Sequence, residues 1–477
     1  MTATSNPGTS QHSAPLTAAP ERPRIGPPAT LTILRGRWLE GWNPEDPHQW
    51  ATGGKTIAAR NLRWSIFTEF LGFVVWQLWS VVVVALPEAG FRYTDGQIFW
   101  LISMPSLVGA TLRLPYTFMV PKFGGRAWTV VSAALLLIPT VALAIAVAHP
   151  ETPFPVMLLI AALAGFGGGN FASSMANISY FYPQRMKGWA LGLNAAGGNL
   201  GAAVAQFLVP ILITVTAAGA VDLPIAGWFW IPFIAIAIVG ATTRMNSLRG
   251  AKADFRASLA VVKEPHLWVL AVLYIGTFGS FIGFSAVFPK LIADEFPQFA
   301  ALHVGGAAVS LAFLGALVGS LARPWGGRLA DRMGGAAVAS ASFLVMAIAT
   351  VCVILTLPIG GFATFLACFI VLFIASGVGN GAVYRMIPTV FAARGRPEAA
   401  RPLGDVSALR MTAAAIGIIA AVGAYGGFLV PQLLGASKTG FGDYTHALWW
   451  FVAGYAVLLV VTVAVYLVPA ARSGRRV

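Results

Sequence analysis

Two arginines, Arg113 and Arg323, lie within long apolar stretches and are the residues best suited to chemistry. Each has a glycine four residues before it and a glycine pair beginning eleven residues after it. A charge at the centre of a membrane helix costs about 2.5–3.5 kcal/mol, and no carboxylate of the facing stretches is placed to neutralise either arginine. A guanidinium presents paired donors to a small oxyanion without titrating. We therefore predict that the two arginines face each other and bind a small anion. The alternative is that each extends to the cytoplasmic face or caps backbone carbonyls.

One acidic residue of the 17, Glu69, falls inside an apolar stretch, and the others lie in termini, loops or stretch ends. A carboxyl within a membrane is a candidate functional group. Two interpretations stay open: Glu69 reaches the interface or bonds to a neighbour, or it carries a coupling proton. Arg385 lies near the end of its stretch and has no counterpart in the other half, so we predict that it extends to the cytoplasmic face.

Two glycine-rich stretches repeat each other, because a shift of 225 residues superposes three glycines of the first on three of the second. Small residues at this spacing let helices approach closely, and they also offer a sliding surface and exposed backbone beside a substrate path. Packing alone is the alternative. In the first stretch Asn199 could donate to an oxyanion, and Asn194, which precedes a glycine pair, is less suited. The candidate packing and gating glycines are Gly192, Gly197, Gly198, Gly201, Gly417, Gly423, Gly426 and Gly427.

Membrane helices are the elements that must position these residues. Of the 477 residues, 57% are hydrophobic and 10% are charged, whereas soluble domains carry about 25% charged residues. This composition excludes a soluble enzyme, a disordered scaffold and a nucleic-acid-binding domain, despite the net charge of +14. Cys352 and Cys368 have neither disulfide-framework nor metal-ligand spacing, and we expect no metal and no cofactor.

Twelve stretches approach the length of about 20 apolar residues that spans a bilayer. They are residues 62–86, 96–120, 127–149, 154–182, 187–216, 226–247, 266–293, 303–329, 335–358, 362–391, 408–434 and 445–470.

The distribution of Lys and Arg predicts the orientation of the chain in the inner (cytoplasmic) membrane. Of the 31 basic residues, 25 fall with the termini and the even-numbered loops, three fall on the opposite side and three lie within stretches. Cytoplasmic loops collect positive charge, so both termini are predicted to be cytoplasmic. No leader peptide is expected in residues 1–61, which should be disordered at their start and interfacial around Trp38 to Trp50.

The predicted fold is an all-α membrane protein of twelve helices in two pseudo-symmetric six-helix bundles, a pattern typical of secondary transporters. The repeated glycines and arginines of the two halves support the duplication. The predicted segments are a cytoplasmic N-terminal tail (1–61), a bundle (62–247), a cytoplasmic linker (248–265), a second bundle (266–470) and a cytoplasmic tail (471–477).

Six strings of the sequence carry a family resemblance: GATLRLPYTFMVPKFGGR (109–126), NFASSMANISYFYP (170–183), GWALGLNAAGGNLG (188–201), LYIGTFGSFIGFS (273–285), GSLARPWGG (319–327) and GAYGGFLVP (423–431). From Gly41 to the end of the last stretch, the chain resembles the nitrate/nitrite porter family of the major facilitator superfamily. The two glycine-rich stretches resemble that family's paired nitrate signatures.

The resemblance implies roles for individual residues. The anion-binding positions of the family are matched by Arg113 and Arg323 as a clamp, Asn199 and Tyr274 as hydrogen-bonding groups, and Phe171 and Phe278 as a ring sandwich. The superfamily's cytoplasmic gate motif is matched by Arg328, Asp331 and Arg332, and in a degraded form by Arg126 in the first half. Two departures stand out. Ala195 replaces a common glycine, and Glu69 replaces an uncharged residue of some relatives, which questions a proton-independent mechanism for this chain.

The function that we expect is exchange of nitrate and nitrite, two small inorganic anions, across the lipid bilayer by alternating access. The alternative with the same substrate is nitrate/proton symport in which Glu69 carries or relays the proton. A membrane sensor or channel is a third possibility, but the tails are too short for a signalling domain. We expect a monomer to be the functional unit, with no nucleic-acid partner.

Overall fold

The computed structural model describes residues 31–215, 221–250, 261–394 and 406–473. These residues form twelve helices of membrane-spanning length, which we number α1 to α12. Their bounds are Pro47–Ala85, Asp95–Phe123, Gly125–Ala146, Phe154–Phe181, Gln184–Val215, Ile225–Arg244, Pro265–Glu295, Phe313–Met333, Gly335–Thr356, Phe362–Arg394, Val406–Ala424 continued by Gly426–Phe441, and Thr445–Ala470.

Eleven of the helices in the described parts are long and apolar enough to cross a membrane. Helix α8 is the exception. It has 21 residues, but it carries Arg323 and a charged end, and these groups lower its hydropathy. The fold is therefore the predicted one, an all-α membrane protein of two six-helix halves, and the helix with the weakest membrane signal is the one that carries a candidate site residue.

The two halves repeat each other in how their helices approach. In the first half, a Cβ built on Gly109 of α2 would lie 3.1 Å from the Cα of Gly168 in α4. In the second half, a Cβ on Gly377 of α10 would overlap the carbonyl of Gly319 in α8. Only glycine permits such close helix contacts. The duplication predicted from the sequence is thus visible in matching pairs of glycine contacts.

The predicted start of the eighth stretch at residue 303 is wrong. Strands β4 (Leu302–Val304) and β5 (Ala307–Val309) form an antiparallel hairpin there, and α8 begins at Phe313. Gly305 and Gly306 form the turn with φ angles of +59° and +86°, which favour glycine and end any helix. Helix α1, by contrast, begins earlier than predicted, at Pro47 and not at residue 62.

The chain before α1 packs against the first bundle. Strand β1 (Thr32–Leu34) pairs with β2 (Trp38–Glu40), and β2 pairs with β3 (Ser247–Leu248) just after α6. The indole of Trp42 donates to the carbonyl of Tyr180 at the end of α4 (3.1 Å). The segment predicted to be interfacial therefore joins the ends of α1, α4 and α6, on the face where the charge distribution places the cytoplasm.

Candidate functional site

Arg113 of α2 is fully buried and connects the two halves of the molecule. Its Nε donates to the carbonyl of Gly168 in α4 (3.2 Å), and its Nη1 donates to the carbonyl of Ala420 in α11 (2.8 Å). Its third nitrogen, Nη2, has no hydrogen-bond partner among the described residues. Two backbone carbonyls thus hold the guanidinium in place and leave one donor for another acceptor.

Arg323 of α8 is 8% exposed and keeps a free donor in the same way. Its Nη2 donates to the hydroxyl of Tyr274 in α7 (3.3 Å), and its buried Nη1 has no partner in the described part of the chain. Within that part, no carboxylate oxygen lies within 4.0 Å of either guanidinium. Neither arginine extends to the surface. Arg113 does bond to backbone carbonyls, as one predicted alternative held, but both arginines keep an unsatisfied donor.

Aromatic rings lie between the two guanidinium groups. The rings of Phe171 in α4 and Phe278 in α7 are stacked, with centroids 6.3 Å apart and planes inclined by 27°. The Cζ of Arg113 lies 4.6 Å and 5.1 Å from these two ring centroids, and the Cζ of Arg323 lies 5.8 Å from that of Phe171. Both rings therefore border the space between the arginines.

A π-helical turn at Ile275–Gly279 interrupts α7 at the site. Such single turns are frequent at functional sites because they re-aim side chains. Here the turn follows Tyr274 and contains Phe278, whose rings stack at 5.3 Å with planes 18° apart. The structure thus brings together five of the six positions that the resemblance implied: Arg113, Arg323, Tyr274, Phe171 and Phe278.

Asn199 of α5 is the sixth position and is not seen in contact with the other five. Its side chain is 1% exposed, and neither amide atom has a hydrogen-bond partner in the described ranges. A buried amide without partners costs about 1–3 kcal/mol. Asn199 therefore remains available to an additional polar group.

Two aromatic residues that the sequence did not single out border the arginines. The ring of Trp76 in α1 lies 5.6 Å from the Cζ of Arg113, and that of Tyr384 in α10 lies 5.4 Å from the Cζ of Arg323. Trp76 follows Glu69 by two helical turns, which places both on one face of α1. That spacing was the available signal for Trp76. Nothing in the spacing of Tyr384 distinguishes it from the other aromatic residues.

Glu69 lies buried inside the first half, so its predicted reach to the interface is wrong and its predicted bond to a neighbour is confirmed. The Nδ2 of Asn194 donates to its Oε2 (2.6 Å), and the hydroxyl of Ser174 donates to the same oxygen. Its Oε1 has no partner among the described residues. The charges of Arg113 and Arg323 both act on this carboxyl. Glu69 is thus close enough to both arginines to be affected by their charges, but it forms an ion pair with neither.

The candidate glycines divide into two groups by what surrounds them. A Cβ on Gly198 would lie 2.5 Å from Oε1 of Glu69, and a Cβ on Gly423 would overlap the ring of Tyr274. By contrast, in the described part of the chain a Cβ on Gly192 would have nothing within 4 Å, and one on Gly417 would have only Thr117, at 3.8 Å. Gly197, Gly201, Gly426 and Gly427 are also tightly packed, against Ile66, Phe70, Gly279 and Ser106 respectively. Packing therefore explains most of these glycines, and open space adjoins two of them.

The residues of the candidate cytoplasmic gate are dispersed. Asp331 pairs with Arg385 of α10 (2.5 Å), and the Arg385 side chain is half exposed near the end of its helix, which agrees with the prediction that it extends to the surface. Arg328 lies over the ring of Trp325, and Arg126 donates to the carbonyl of Thr242 in α6 (2.9 Å). Arg332 is also engaged in an interaction. The α8–α10 ion pair escaped prediction because its partners are 54 residues apart.

Comparison with known proteins identifies relatives over most of the chain. Residues 68–421 match the family model described as Major Facilitator Superfamily. The chain is 43% identical to the "Nitrate/nitrite transporter NarU" of Escherichia coli (strain K12), over 90% of this chain and 96% of that protein. It is 37% identical to the "Probable nitrate/nitrite antiporter NarK2" of Thermus thermophilus, over 89% of this chain and 96% of that one.

Among solved structures, the fold is similar to that of a bacterial homologue of the human lysosomal transporter Spinster. The TM-score is 0.59 with 17% sequence identity, covering 86% of this chain and 96% of that one. This likeness concerns the fold alone.

Proposed function

The chain belongs to the nitrate/nitrite porter family of the major facilitator superfamily, and we propose that it exchanges nitrate and nitrite across the cytoplasmic membrane by alternating access. The observation that carries the proposal is the pair of buried guanidinium groups, Arg113 and Arg323. Within the described ranges, each has one unsatisfied nitrogen and neither has a carboxylate partner. A buried charge must be neutralised, and a small anion between the arginines does this. Both arginines come from one chain, so we expect a monomer to transport.

The shape of the site favours a flat anion. Phe171 and Phe278 present stacked rings beside the guanidinium of Arg113, and Phe171 also lies beside that of Arg323. A planar trigonal or bent ion fits against ring faces while its oxygens accept from the arginine donors and from the hydroxyl of Tyr274. A tetrahedral anion would project an oxygen towards a ring. Nitrate and nitrite meet this requirement, and the names of the two relatives support them.

Exchange follows from the electrostatics of the two arginines. Closing the halves without an anion brings two uncompensated positive charges together at low dielectric, which is unfavourable. A bound anion screens them and favours the closed state, since a ligand shifts an equilibrium through its differential affinity. The loaded site therefore reorients readily and the empty site poorly, which favours exchange over uniport.

The two halves are joined on the side that we assign to the exterior. Lys290 of α7 pairs with Asp95 of α2 (3.1 Å). Deeper in, Gln432 of α11 donates to the hydroxyl of Ser103 in α2 (2.7 Å). We infer a conformation closed to the exterior, with the termini on the cytoplasmic side.

Uptake of labelled nitrate into proteoliposomes tests the exchange. The lumen contains nitrite, nitrate or neither, and each preparation is measured with and without an inward pH gradient. We expect rapid uptake only when the lumen holds an anion. Equal uptake into vesicles without internal anion would refute exchange, and absence of uptake under every condition would refute nitrate as the substrate.

Proton symport is the second candidate function, and the burial of Glu69 favours it. The carboxyl lies among neutral hydrogen-bonding groups and under the field of both arginines, where a proton would change the charge of the site. The same vesicle experiment separates the two functions. Gradient-driven uptake into vesicles without internal anion would support symport.

A further inference from the structure

A small cavity lined by polar residues lies inside the first half, beside Glu69. It measures about 10 Å³, which is about the room that one water molecule needs. Every side chain that lines it is polar. The lining includes Ser65 and Glu69 of α1, Thr129 and Ser132 of α3, and Asn170 and Ser174 of α4. The cavity is therefore formed by helices of one half alone.

The cavity contains a polar group that the protein does not satisfy. Asn170 is 2% exposed, and both its Oδ1 and its Nδ2 have no hydrogen-bond partner among the described residues. Leaving such groups unpaired costs about 1–3 kcal/mol. A metal cation would satisfy the oxygen but not the Nδ2 donor, whereas a water molecule both donates and accepts. The ligand class that fits is therefore water or hydronium.

The hydroxyls of α3 continue from the cavity towards the end of the bundle. Ser132 donates to the carbonyl of Thr129 (3.2 Å), and Thr129 donates to the carbonyl of Gly125, the first residue of α3 (2.8 Å). The turn before Gly125 lies on the face that the charge distribution assigns to the cytoplasm. The polar lining of the cavity thus comes within about one helical turn of Gly125, outside the space between the two halves.

The duplication of the fold gives Glu69 a counterpart in the anion site. A shift of 225 residues superposes Gly198 on Gly423. Glu69 lies against Gly198 and Tyr274 lies against Gly423. Since Tyr274 bonds to an arginine of the site, Glu69 occupies the corresponding position in the first half.

The charge state of Glu69 therefore matters to the anion. The charged and titratable groups that act on it come from α2, α8 and α10, while α4 and α5 present a neutral hydroxyl and a neutral amide. These groups are Arg113, Arg323, Tyr384, Ser174 and Asn194. An ionised Glu69 competes with a substrate anion for the two positive charges, whereas a protonated one does not.

We propose that the cavity holds a water molecule that passes protons between the cytoplasmic side and Glu69, and that protonation of Glu69 regulates anion binding. This inference rests on the proposed function, because it concerns the same anion site. Hydronium gives its proton to a carboxylate oxygen, and no other bond changes. Proton and anion then strengthen each other's binding by linkage. Nitrate affinity falls as pH rises, by up to about tenfold per pH unit for one linked proton.

Calorimetric titration of the purified full-length protein with nitrate, over a series of pH values, tests this coupling. We expect the wild type to lose affinity with rising pH and Glu69→Gln to bind equally at all pH values. The matched control is Glu295→Gln at the last residue of α7, which should retain the wild-type pH dependence. Titration of the wild type in two buffers of different ionisation enthalpy should show proton uptake on nitrate binding, independently of any variant.

Two outcomes would overturn the inference separately from the proposed function. Wild-type protein that exchanges nitrate but binds it equally at all pH values, without proton uptake, would refute the coupling. So would a folded Glu69→Gln variant that keeps the pH dependence. A protein that binds no nitrate at any pH would refute the proposed function, and this inference with it.

The route is tested by Thr129→Val, which removes one hydroxyl at nearly constant volume, and by Ser132→Ala as a second variant. After a rapid pH jump, we expect the change in nitrate occupancy to be several-fold slower than in the wild type, with the same equilibrium affinity. Unchanged rates in both variants would refute the α3 route.

Discussion

Arg113 bonds to two backbone carbonyls with two of its nitrogens, and its third has no partner among the described residues, so we expect it to bind the anion. Lysine carries the same charge but has one nitrogen on a flexible stem and cannot make this planar set of bonds. We expect Arg113→Lys to weaken nitrate binding by about 2 kcal/mol, a rise in Kd of roughly 30-fold. Calorimetric titration at one pH measures it.

The control for this substitution is Arg185→Lys at the exposed start of α5, which should bind nitrate as the wild type does. Both variants keep the net charge, so a difference between them reports geometry and not the field of the whole protein. Equal affinity of Arg113→Lys and the wild type would show that the arginine contributes only a positive charge.

At the scale of the helix, α11 contains two glycines that belong to the same repeated sequence pattern but have different neighbours in the structure. A Cβ on Gly423 would overlap the ring of Tyr274, whereas a Cβ on Gly417 would meet, among the residues that the structure describes, only Thr117, at 3.8 Å. Overpacking costs about 1–3 kcal/mol, and here it displaces a site residue. We expect Gly423→Ala to reduce nitrate counterflow at least tenfold and Gly417→Ala to leave it within twofold of the wild type, which vesicle counterflow measures. Equal effects would indicate a shared sliding surface.

The helices and the arginine pair could be predicted from the sequence because both follow from sequence features that are rare by chance. Long apolar stretches fix the helices, and an arginine within one, such as Arg323, is unusual enough to be informative. The start of α8 was missed because the hairpin before it depends on two glycines at positive φ within an apolar run. Tyr384 was missed because selecting one ring among many requires the positions of other helices. The sequence predicted a bond of Glu69 to some neighbour, but it did not identify Asn194 as the partner for the same reason, since this bond joins α1 to α5.

At the scale of the whole molecule, polar contacts between and within the halves bridge the face that we assign to the exterior. Lys290 bridges Asp95 of the first half and Asp294 of its own helix (3.1 Å and 2.5 Å). Tyr444, in the turn before α12, donates to the same Asp294. Burial, together with the neighbouring Asp294 carboxyl, raises the pKa of Tyr444, so it stays a neutral donor at physiological pH. The contact of Tyr444 with Asp294 is therefore insensitive to pH in the physiological range, and Lys290–Asp95 is the ion pair of this group that crosses between the halves.

Removing the cross-half pair should open the exterior more often. Asp95→Asn leaves Lys290 paired with Asp294 but removes its link to the first half. The pair is partly exposed and contributes at most about 1 kcal/mol, so we expect a two- to fivefold shift in the population open to the exterior. A cysteine at Ser106, which is 3% exposed beneath Gly427, reports this opening through its rate of reaction with a membrane-impermeant thiol reagent. The native Cys352 and Cys368 are first replaced by alanine.

Asp443→Asn is the matched control, because Asp443 pairs with His446 within one half and its loss should leave the rate unchanged. If Asp95→Asn also left it unchanged, the apolar helix contacts alone would hold the exterior closed.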